Sequence, residues 1–175
     1  FKDIKDPVSK MVFVGFVALK DPIRARVVES IKLTKDAGIR VVMITGDNRN
    51  TATAIAKEIG LDVSSGNVVE GKDLEKASDD ELRKIVAKAK VFARILPHDK
   101  LRIVGALQAR GEVVAMTGDG INDAPALKKA NIGVAVGTAT DVSKESSDMV
   151  LLDSNFRTIV RAIRQGRIIF DNIKK

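Results

Sequence analysis

Short aliphatic runs alternate along the chain with longer stretches of mixed polar and apolar residues. The aliphatic runs predict strands at Val12–Leu19, Ile39–Ile44, Val91–Ala93, Glu112–Met116, Ile132–Val136 and Met149–Leu152. The stretches between them predict helices at Arg24–Asp36, Asn50–Ile59, Asp79–Ala89, Asp99–Arg110, Ala124–Ala130 and Asp141–Ser146. This alternation indicates an α/β fold of the Rossmann type, with a parallel sheet covered by helices on both faces.

The predicted helices carry recognisable end signals. Gly38, Gly60 and Gly111 follow three predicted helix ends, where glycine accepts the left-handed conformation that closes a helix. Ser78 and Glu81 have the spacing of a capping box, which predicts a helix start at this point.

The last segment, Asn155–Lys175, has a different pattern, which predicts one long helix. Isoleucines form an apolar stripe along it, and arginines and lysines occupy the other positions. An ordinary amphipathic surface helix explains this pattern. A stalk that leads to a membrane, with its basic side near anionic lipid, explains it as well.

Composition narrows the class of protein. The chain has 175 residues, of which 45% are hydrophobic and 3% aromatic, so it can bury one aliphatic core. It contains no Cys, which excludes disulfides and thiolate chemistry. Its net charge of +7 favours anionic partners, although a solvated basic surface also accounts for it. No apolar run approaches the roughly 20 residues of a membrane-spanning helix. Because the chain begins with Phe1, we expect it to be a piece of a larger protein.

The segment Thr117–Asp123 is the strongest chemical signal in the sequence. It follows a predicted strand, and ligands of parallel sheets bind beyond the carboxyl ends of the strands. Asp119 and Asp123 offer the carboxylate oxygens that Mg²⁺ prefers. A plain helix N-terminus, capped by an Asp or Asn, is the competing interpretation.

Two further segments add complementary groups. Thr45, Gly46 and Asp47 also follow a predicted strand, where a hydroxyl and backbone N–H groups suit a phosphate. Lys100 stands at the start of a predicted helix, where it is either solvated or bound to an anion. Taken singly, the Thr45 segment is better explained as an ordinary strand-to-helix turn, and Lys100 as a solvated surface residue. Together they supply the hydroxyl, the lysine and the carboxylates of phosphoryl transfer, but no obvious nucleophile.

The segment Gly66–Asp73 nearly matches a phosphate-binding loop. Asp73 replaces the hydroxyl residue that the motif requires, and Glu70 would repel a phosphate. Because no strong strand precedes it, the segment is predicted to be a surface turn.

These motifs resemble those of the P-type ATPases, which belong to the haloacid-dehalogenase-like phosphotransferases. The resemblance covers nearly the whole chain. It is carried by Asp21–Arg24, Met43–Asn48, Ala93–Lys100, Thr117–Leu127 and Lys144–Leu151. Asp148–Leu152 and the segment after it are most similar to the calcium-pump-like type II members.

The resemblance implies a role for each candidate residue. Thr45 and Gly46 would hold the transferred phosphoryl group, Lys100 would neutralise its charge, and Asn122 would approach it. Asp119 would bind Mg²⁺, supported by Asp123, which would orient Lys100 or a metal-bound water. Near the nucleotide, ATP, would lie Arg24, Asp47 and Arg94.

The resemblance also implies a domain layout. Residues 1–10 would be the remnant of a linker to a nucleotide domain, residues 11–154 the phosphorylation domain, and residues 155–175 the stalk helix. The nucleophile of the family, the Asp of Asp-Lys-Thr-Gly, does not occur in these 175 residues. The chain alone is therefore expected to be inactive. Its partners would be the nucleotide, actuator and transmembrane domains of a pump in the cell membrane, and the phosphorylation domain would face the cytoplasm.

Two alternatives belong to other classes of protein. A soluble phosphatase of the same superfamily would need an Asp-x-Asp motif at a strand end, and none precedes Thr45. A non-enzymatic basic binding module would fit the charge. Nucleic acid is not an expected partner, because the chain has no recognised motif and almost no aromatic residues for base stacking.

Overall fold

The computed structural model describes residues 11–17, 22–24, 26–153 and 155–174. Helices in these ranges are α1 (Val27–Asp36), α2 (Arg49–Glu58), α3 (Gly71–Glu75), α4 (Asp79–Lys88), α5 (Pro97–Ala109), α6 (Ala124–Lys129), α7 (Asp141–Glu145) and α8 (Phe156–Ile173). Strands are β1 (Met43–Ile44), β2 (Val68–Glu70), β3 (Val91–Ala93), β4 (Ala115–Gly118), β5 (Ile132–Val136) and β6 (Met149–Leu151). Short 3₁₀ turns cover Ser65–Asn67 and Ile121–Asp123.

The strands form two parallel sheets of three strands each. One sheet has the order β1-β3-β2, and the other has the order β4-β5-β6. The four pairings among the described strands are all parallel. Parallel pairing requires helical crossovers, so the predicted α/β fold with parallel strands is confirmed.

The first sheet is covered by helices on both faces. Phe92 of β3 packs on one face with side chains of α4 and α5, among them Leu82 and Ile103. Its neighbour Val91 packs on the other face with Ile31 of α1 and Ala52 of α2. Successive side chains of a strand point to opposite faces, so a fully buried strand must be apolar at each position, as β3 is.

Helix α5 connects the two sheets. Its Ile103 belongs to the apolar cluster around Phe92, while the adjacent Val104 packs with Met116 of β4. At the amino-terminal ends of the strands, Arg40 Nη2 donates to Glu112 Oε2 over 2.7 Å. Helix α5 begins soon after the carboxyl end of β3, so its first turn, which contains Lys100, lies at the carboxyl ends of the strands.

The predicted end signals are confirmed. Gly38, Gly60 and Gly111 have φ angles of 76°, 80° and 80°. The Ser78 and Glu81 side chains form the capping box of α4. The long carboxy-terminal helix is present as α8, which lies against α1. Within the described ranges, no helix has the length and apolar character needed to cross a bilayer.

The predicted strand Val12–Leu19 is wrong over residues 12–17, and residues 18 and 19 lie outside the described ranges. Residues 11–17 have no regular secondary structure, and the side chains of Val14 and Phe16 are 99% and 92% exposed. An aliphatic run becomes a strand only where another strand pairs with it. No described strand pairs with this segment.

The predicted surface turn at Gly66–Asp73 is also wrong. Val68–Glu70 forms β2, which pairs with β3, and α3 follows directly. The Val68 side chain is buried in the core, and this burial favours a strand over a turn. A Cβ on Gly71 would lie 2.3 Å from the Arg94 carbonyl oxygen, so the close approach of this loop to the end of β3 requires glycine here.

Candidate functional site

The loop after β4 is built around the Asp123 carboxylate. Strand β4 ends at Gly118, and the chain turns back so that Asp123 Oδ2 accepts the N–H groups of Asp119 and Gly120, each over 3.3 Å. A Cβ on Gly118 would lie 2.5 Å from the Cβ of Asp123. This close approach requires glycine at position 118.

Lys100 of α5 forms an ion pair with the other oxygen of Asp123, Oδ1. The pair is largely buried, because the Lys100 side chain is 18% exposed and the Asp123 side chain 9%. Both Asp123 oxygens are therefore occupied, one by a cation and one by two backbone N–H groups. The arrangement fixes the direction of the Lys100 ammonium group, while the predicted metal and orienting roles of Asp123 both stay predictions.

Asp119 and Asn122, by contrast, are exposed at the surface of the loop. Among the described residues, none donates a hydrogen bond to the Asp119 carboxylate. No cluster of three or more His, Cys, Asp or Glu suited to a metal occurs in the described ranges. Mg²⁺ nevertheless binds through one or two carboxylates together with substrate phosphate and waters, so an exposed Asp119 fits such an ion.

Thr45, Gly46 and Asp47 form a second loop, at the end of β1. The Thr45 hydroxyl donates to Asp47 Oδ2 over 3.0 Å and accepts the Asp47 N–H over 3.1 Å. The loop is joined to the end of β3, because Arg94 N donates to the Asp47 carbonyl oxygen over 2.8 Å. Arg94 has a φ angle of 52°, an uncommon conformation for a residue with a side chain. These bonds fix a hydroxyl and two exposed polar side chains at the carboxyl end of the first sheet.

Arg24 lies beside the end of β4. It lines a cavity of about 340 Å³ together with Thr117 of β4, Val136 of β5 and the first residues of α8. Through Thr117 this cavity adjoins the loop that carries Asp119.

The candidate residues thus fall into two groups, one around Lys100 and Asp123 and one around Thr45 and Arg94. No hydrogen bond or ion pair joins the two groups within the described part of the chain. They are close along the sequence, since Arg94 lies three residues before Pro97, the first residue of the helix that carries Lys100. The predicted catalytic, nucleotide and metal roles of these residues stay predictions.

Sequence reasoning missed a contact on the far side of the Asp119 loop. The Thr140 N–H donates to the Asp119 carbonyl oxygen over 3.0 Å, and the Ser143 hydroxyl donates to the Gly120 carbonyl oxygen over 2.7 Å. Thr140 is the N-cap residue of α7. The sequence does carry a sign of this helix start, because a Thr stands directly before the helix predicted at Asp141–Ser146. That sign predicts where the helix begins, but it does not predict which loop the helix contacts.

Comparison with known proteins identifies the family. A family model described as haloacid dehalogenase-like hydrolase matches residues 2–131, and a second one with the same description matches residues 100–163. The chain belongs to the haloacid dehalogenase-like hydrolases.

Among curated proteins, the similar relatives are cation-transporting ATPases. The chain is 50% identical over 167 residues to Calcium-transporting ATPase 1 of Lactococcus lactis, covering 95% of this chain and 19% of that protein. It is 51% identical over 166 residues to the Calcium-transporting ATPase of Bacillus subtilis, covering 94% and 19%. It is 51% identical over 172 residues to the Probable cation-transporting ATPase F of Mycobacterium bovis, covering 95% and 19%. The chain spans about a fifth of the length of these relatives.

Solved structures give the same result for the fold. A zinc-transporting PIB-type ATPase in the E2.Pi state matches 89% of this chain and 21% of its own, with a TM-score of 0.69 and 34% identity. The catalytic domain of the CPx-ATPase CopB-B matches 80% of this chain and 45% of its own, with a TM-score of 0.61 and 25% identity. The resemblance to P-type ATPases of the haloacid-dehalogenase-like superfamily is therefore confirmed.

Proposed function

We propose that this chain is the carboxy-terminal part of the phosphorylation domain of a P-type cation-transporting ATPase, and that it binds Mg²⁺ and the transferred phosphoryl group. One observation carries the proposal: Asp123 holds Lys100 on one oxygen and the Asp119 loop on the other, which leaves the Asp119 carboxylate exposed. A cation and a carboxylate fixed at the same strand end suit phosphoryl transfer, which depends mainly on positioning and charge neutralisation.

Each group has a task in this proposal. Asp119 holds the magnesium ion, which when bound neutralises phosphoryl oxygens and orients them. Lys100 donates to a phosphoryl oxygen, and its pairing with Asp123 keeps the ammonium group in place. The Thr45 hydroxyl and the Gly46 N–H bind the same phosphoryl group from the first sheet, and Asn122 approaches it from the Asp119 loop. Arg24, Asp47 and Arg94 contact ATP.

The nucleophilic aspartate of the reaction, we propose, lies on a strand outside these 175 residues. Strands β1 and β4 each pair on one side only within the described part of the chain. Both end in a Thr-Gly-Asp loop, and both are held by α5. A parallel strand between them would join the two sheets and would end between Thr45 and Asp119. This placement supports the expectation that the 175 residues alone are inactive.

The transported ion in this proposal is Ca²⁺, on the strength of the similarity to calcium-transporting ATPases. Residues 1–10 would then lead from the nucleotide domain, residues 11–154 would form the phosphorylation domain facing the cytoplasm, and residues 155–175 would form the stalk. The nucleotide, actuator and transmembrane domains of the intact pump would be the partners of the chain.

The experiment is an Asp119→Asn substitution in the full-length protein, with phosphoenzyme formation from ATP measured as a function of Mg²⁺ concentration. Asn keeps the shape of the side chain and removes the charge that attracts the ion. We expect a loss of phosphoenzyme of at least ~100-fold at millimolar Mg²⁺, comparable to the loss of one preorganised electrostatic group. Asp79→Asn is the matched control, because Asp79 is an exposed carboxylate in the first turn of α4.

If phosphoenzyme formation by wild type and by Asp119→Asn depends equally on Mg²⁺ concentration, Asp119 is not a magnesium ligand. Turnover of a simple phosphate ester by the 175-residue chain alone would instead favour the soluble phosphatase. Calcium uptake into inverted vesicles, measured against other divalent cations, tests the choice of ion.

A further inference from the structure

The Asp119 loop is held from two opposite sides by hydrogen bonds to its backbone. The N–H groups of Asp119 and Gly120 donate to Asp123, as described above. The carbonyl groups of the same two residues accept from Thr140 N and Ser143 Oγ of α7. Both N–H groups and both carbonyl groups of two consecutive residues therefore have partners, and the partners lie on two different elements.

Ser143 is suited to this task by its surroundings. Its side chain is fully buried, and its hydroxyl lies 2.7 Å from the Gly120 carbonyl oxygen and 3.0 Å from Thr140 Oγ1. Thr140 Oγ1 in turn accepts the Ser143 N–H at the start of α7. The Gly120 carbonyl oxygen also accepts the Asp123 N–H over 2.8 Å, so the Ser143 hydroxyl is its second donor and the one that ties it to α7. Loss of this hydroxyl would therefore release the loop from α7 while its bond within the loop remains.

We infer that Ser143, with Thr140, is a positioning residue for the Asp119 carboxylate, and that it sets the affinity of the site for Mg²⁺ without contacting the ion. This inference rests on the proposed function. A metal ligand must be held in its productive direction by surrounding hydrogen bonds, and loss of such a supporting bond lowers metal affinity. The Asp119 carboxylate makes no hydrogen bond or ion pair among the described residues, so its direction depends on its backbone.

The test uses Ser143→Ala in the full-length protein, with Ser147→Ala as the matched control. Ser147 also donates its hydroxyl to a backbone carbonyl, that of Lys144 over 2.8 Å, but it has no hydrogen bond to the Asp119 loop. Two quantities are measured. One is hydrogen–deuterium exchange of the peptide that spans Asp119 and Gly120 in metal-free protein, and the other is the Mg²⁺ concentration that gives half-maximal phosphoenzyme.

For Ser143→Ala we expect faster exchange in that peptide and a rise in half-saturating Mg²⁺ of about two- to ten-fold, the range for one neutral hydrogen bond. The phosphoenzyme level at saturating Mg²⁺ should stay within about two-fold of wild type, because more ion compensates for a loosened ligand. Ser147→Ala should change neither quantity. Unchanged values for Ser143→Ala, or equal changes in both variants, would overturn the inference.

A second pair of variants covers the case in which Ser143→Ala does not fold. Thr140 is exposed, so Thr140→Ala removes its hydroxyl without opening a cavity. It should raise half-saturating Mg²⁺ in the same direction, and Thr140→Ser, which keeps the hydroxyl, should restore the wild-type value. Failure of the serine variant to restore it argues against the inference.

Asp119→Asn separates this inference from the proposed function. If Asp119→Asn abolishes the response to Mg²⁺ and Ser143→Ala leaves it unchanged, only the positioning role fails. If neither variant alters the response, the metal site itself is wrong and both fail.

Discussion

The buried ion pair between Lys100 and Asp123 gives a quantitative test of the site. Asp123→Asn keeps an oxygen that can accept the N–H groups of Asp119 and Gly120, so the variant chiefly removes the charge that faces Lys100. Breaking one partner of a buried pair costs about 3–5 kcal/mol, because the other charge is left uncompensated. The side chains of Lys100 and Asp123 are 18% and 9% exposed. Because of this residual contact with water, we expect the free energy of unfolding to fall by about 3 kcal/mol, the lower end of that range. For a chain of this length, the melting temperature should fall by about 6–12 °C.

The assay is urea unfolding of the 175-residue protein followed by far-ultraviolet circular dichroism, because the chain has no Trp or Tyr for fluorescence. Asp80→Asn is the control: it breaks the ion pair with Arg83, which lies at the surface with side chains 42% and 78% exposed. Exposed pairs contribute at most about 1 kcal/mol. In a Lys100→Met background, Asp123→Asn should cost less than about 1 kcal/mol, because no buried cation remains. Equal losses for Asp123→Asn and Asp80→Asn would refute the reasoning.

Two further predictions concern stability. Gly71→Ala should lower the free energy of unfolding by about 1–3 kcal/mol, because the new Cβ would lie 2.3 Å from the Arg94 carbonyl oxygen. A Cβ on Gly105 meets nothing within 4 Å, so Gly105→Ala should raise the free energy of unfolding by up to about 1 kcal/mol. Urea unfolding of both variants measures these changes, and an unchanged stability of Gly71→Ala would contradict the prediction. Burial alone would raise the pKa of the Glu112 carboxyl. The hydrogen bonds and positive charges of Arg40 and Arg110 outweigh this effect of burial and hold the pKa below its ordinary value of 4.5. Because the folded pKa is depressed, the stabilisation is complete above about pH 4.5 and is lost as the pH falls through the folded pKa. Glu112→Gln should therefore flatten the acid limb of the stability curve, and an unchanged limb would contradict the assignment.

The fold class was predictable because aliphatic runs and helix end signals are local. Val91–Ala93 and Ile132–Val136 were predicted with the bounds that the structure shows. Both have a partner strand on each side, so strand pairing extends over the whole run. Strand ends at the edges of the sheets shifted instead. Strand β4 begins at Ala115 rather than Glu112, because pairing with β5 begins only at Ile132.

The errors came from residues whose structure depends on distant partners. Val68–Glu70 has too short an aliphatic run to predict a strand, and it becomes one because β3 lies beside it. Val12–Leu19 has a long run and no described partner. At the site, the Thr-Gly-Asp loops were visible as motifs. The hydrogen bond from Ser143 to Gly120 was not, because it joins residues 23 positions apart.

The strands divide into two sheets because each strand needs a neighbouring strand to pair with. Parallel strands are stable when both edges are paired and both faces are covered, and β1 and β4 each have one paired edge among the described residues. The exposed run at residues 11–17 is apolar enough to fill such a position, yet its side chains lie in solvent. We propose that a strand joining β1 to β4 comes from elsewhere in the pump. Because both neighbours end in the loops of Thr45 and Asp119, the end of that strand is where the nucleophile would meet the lysine, the hydroxyl and the metal ligand.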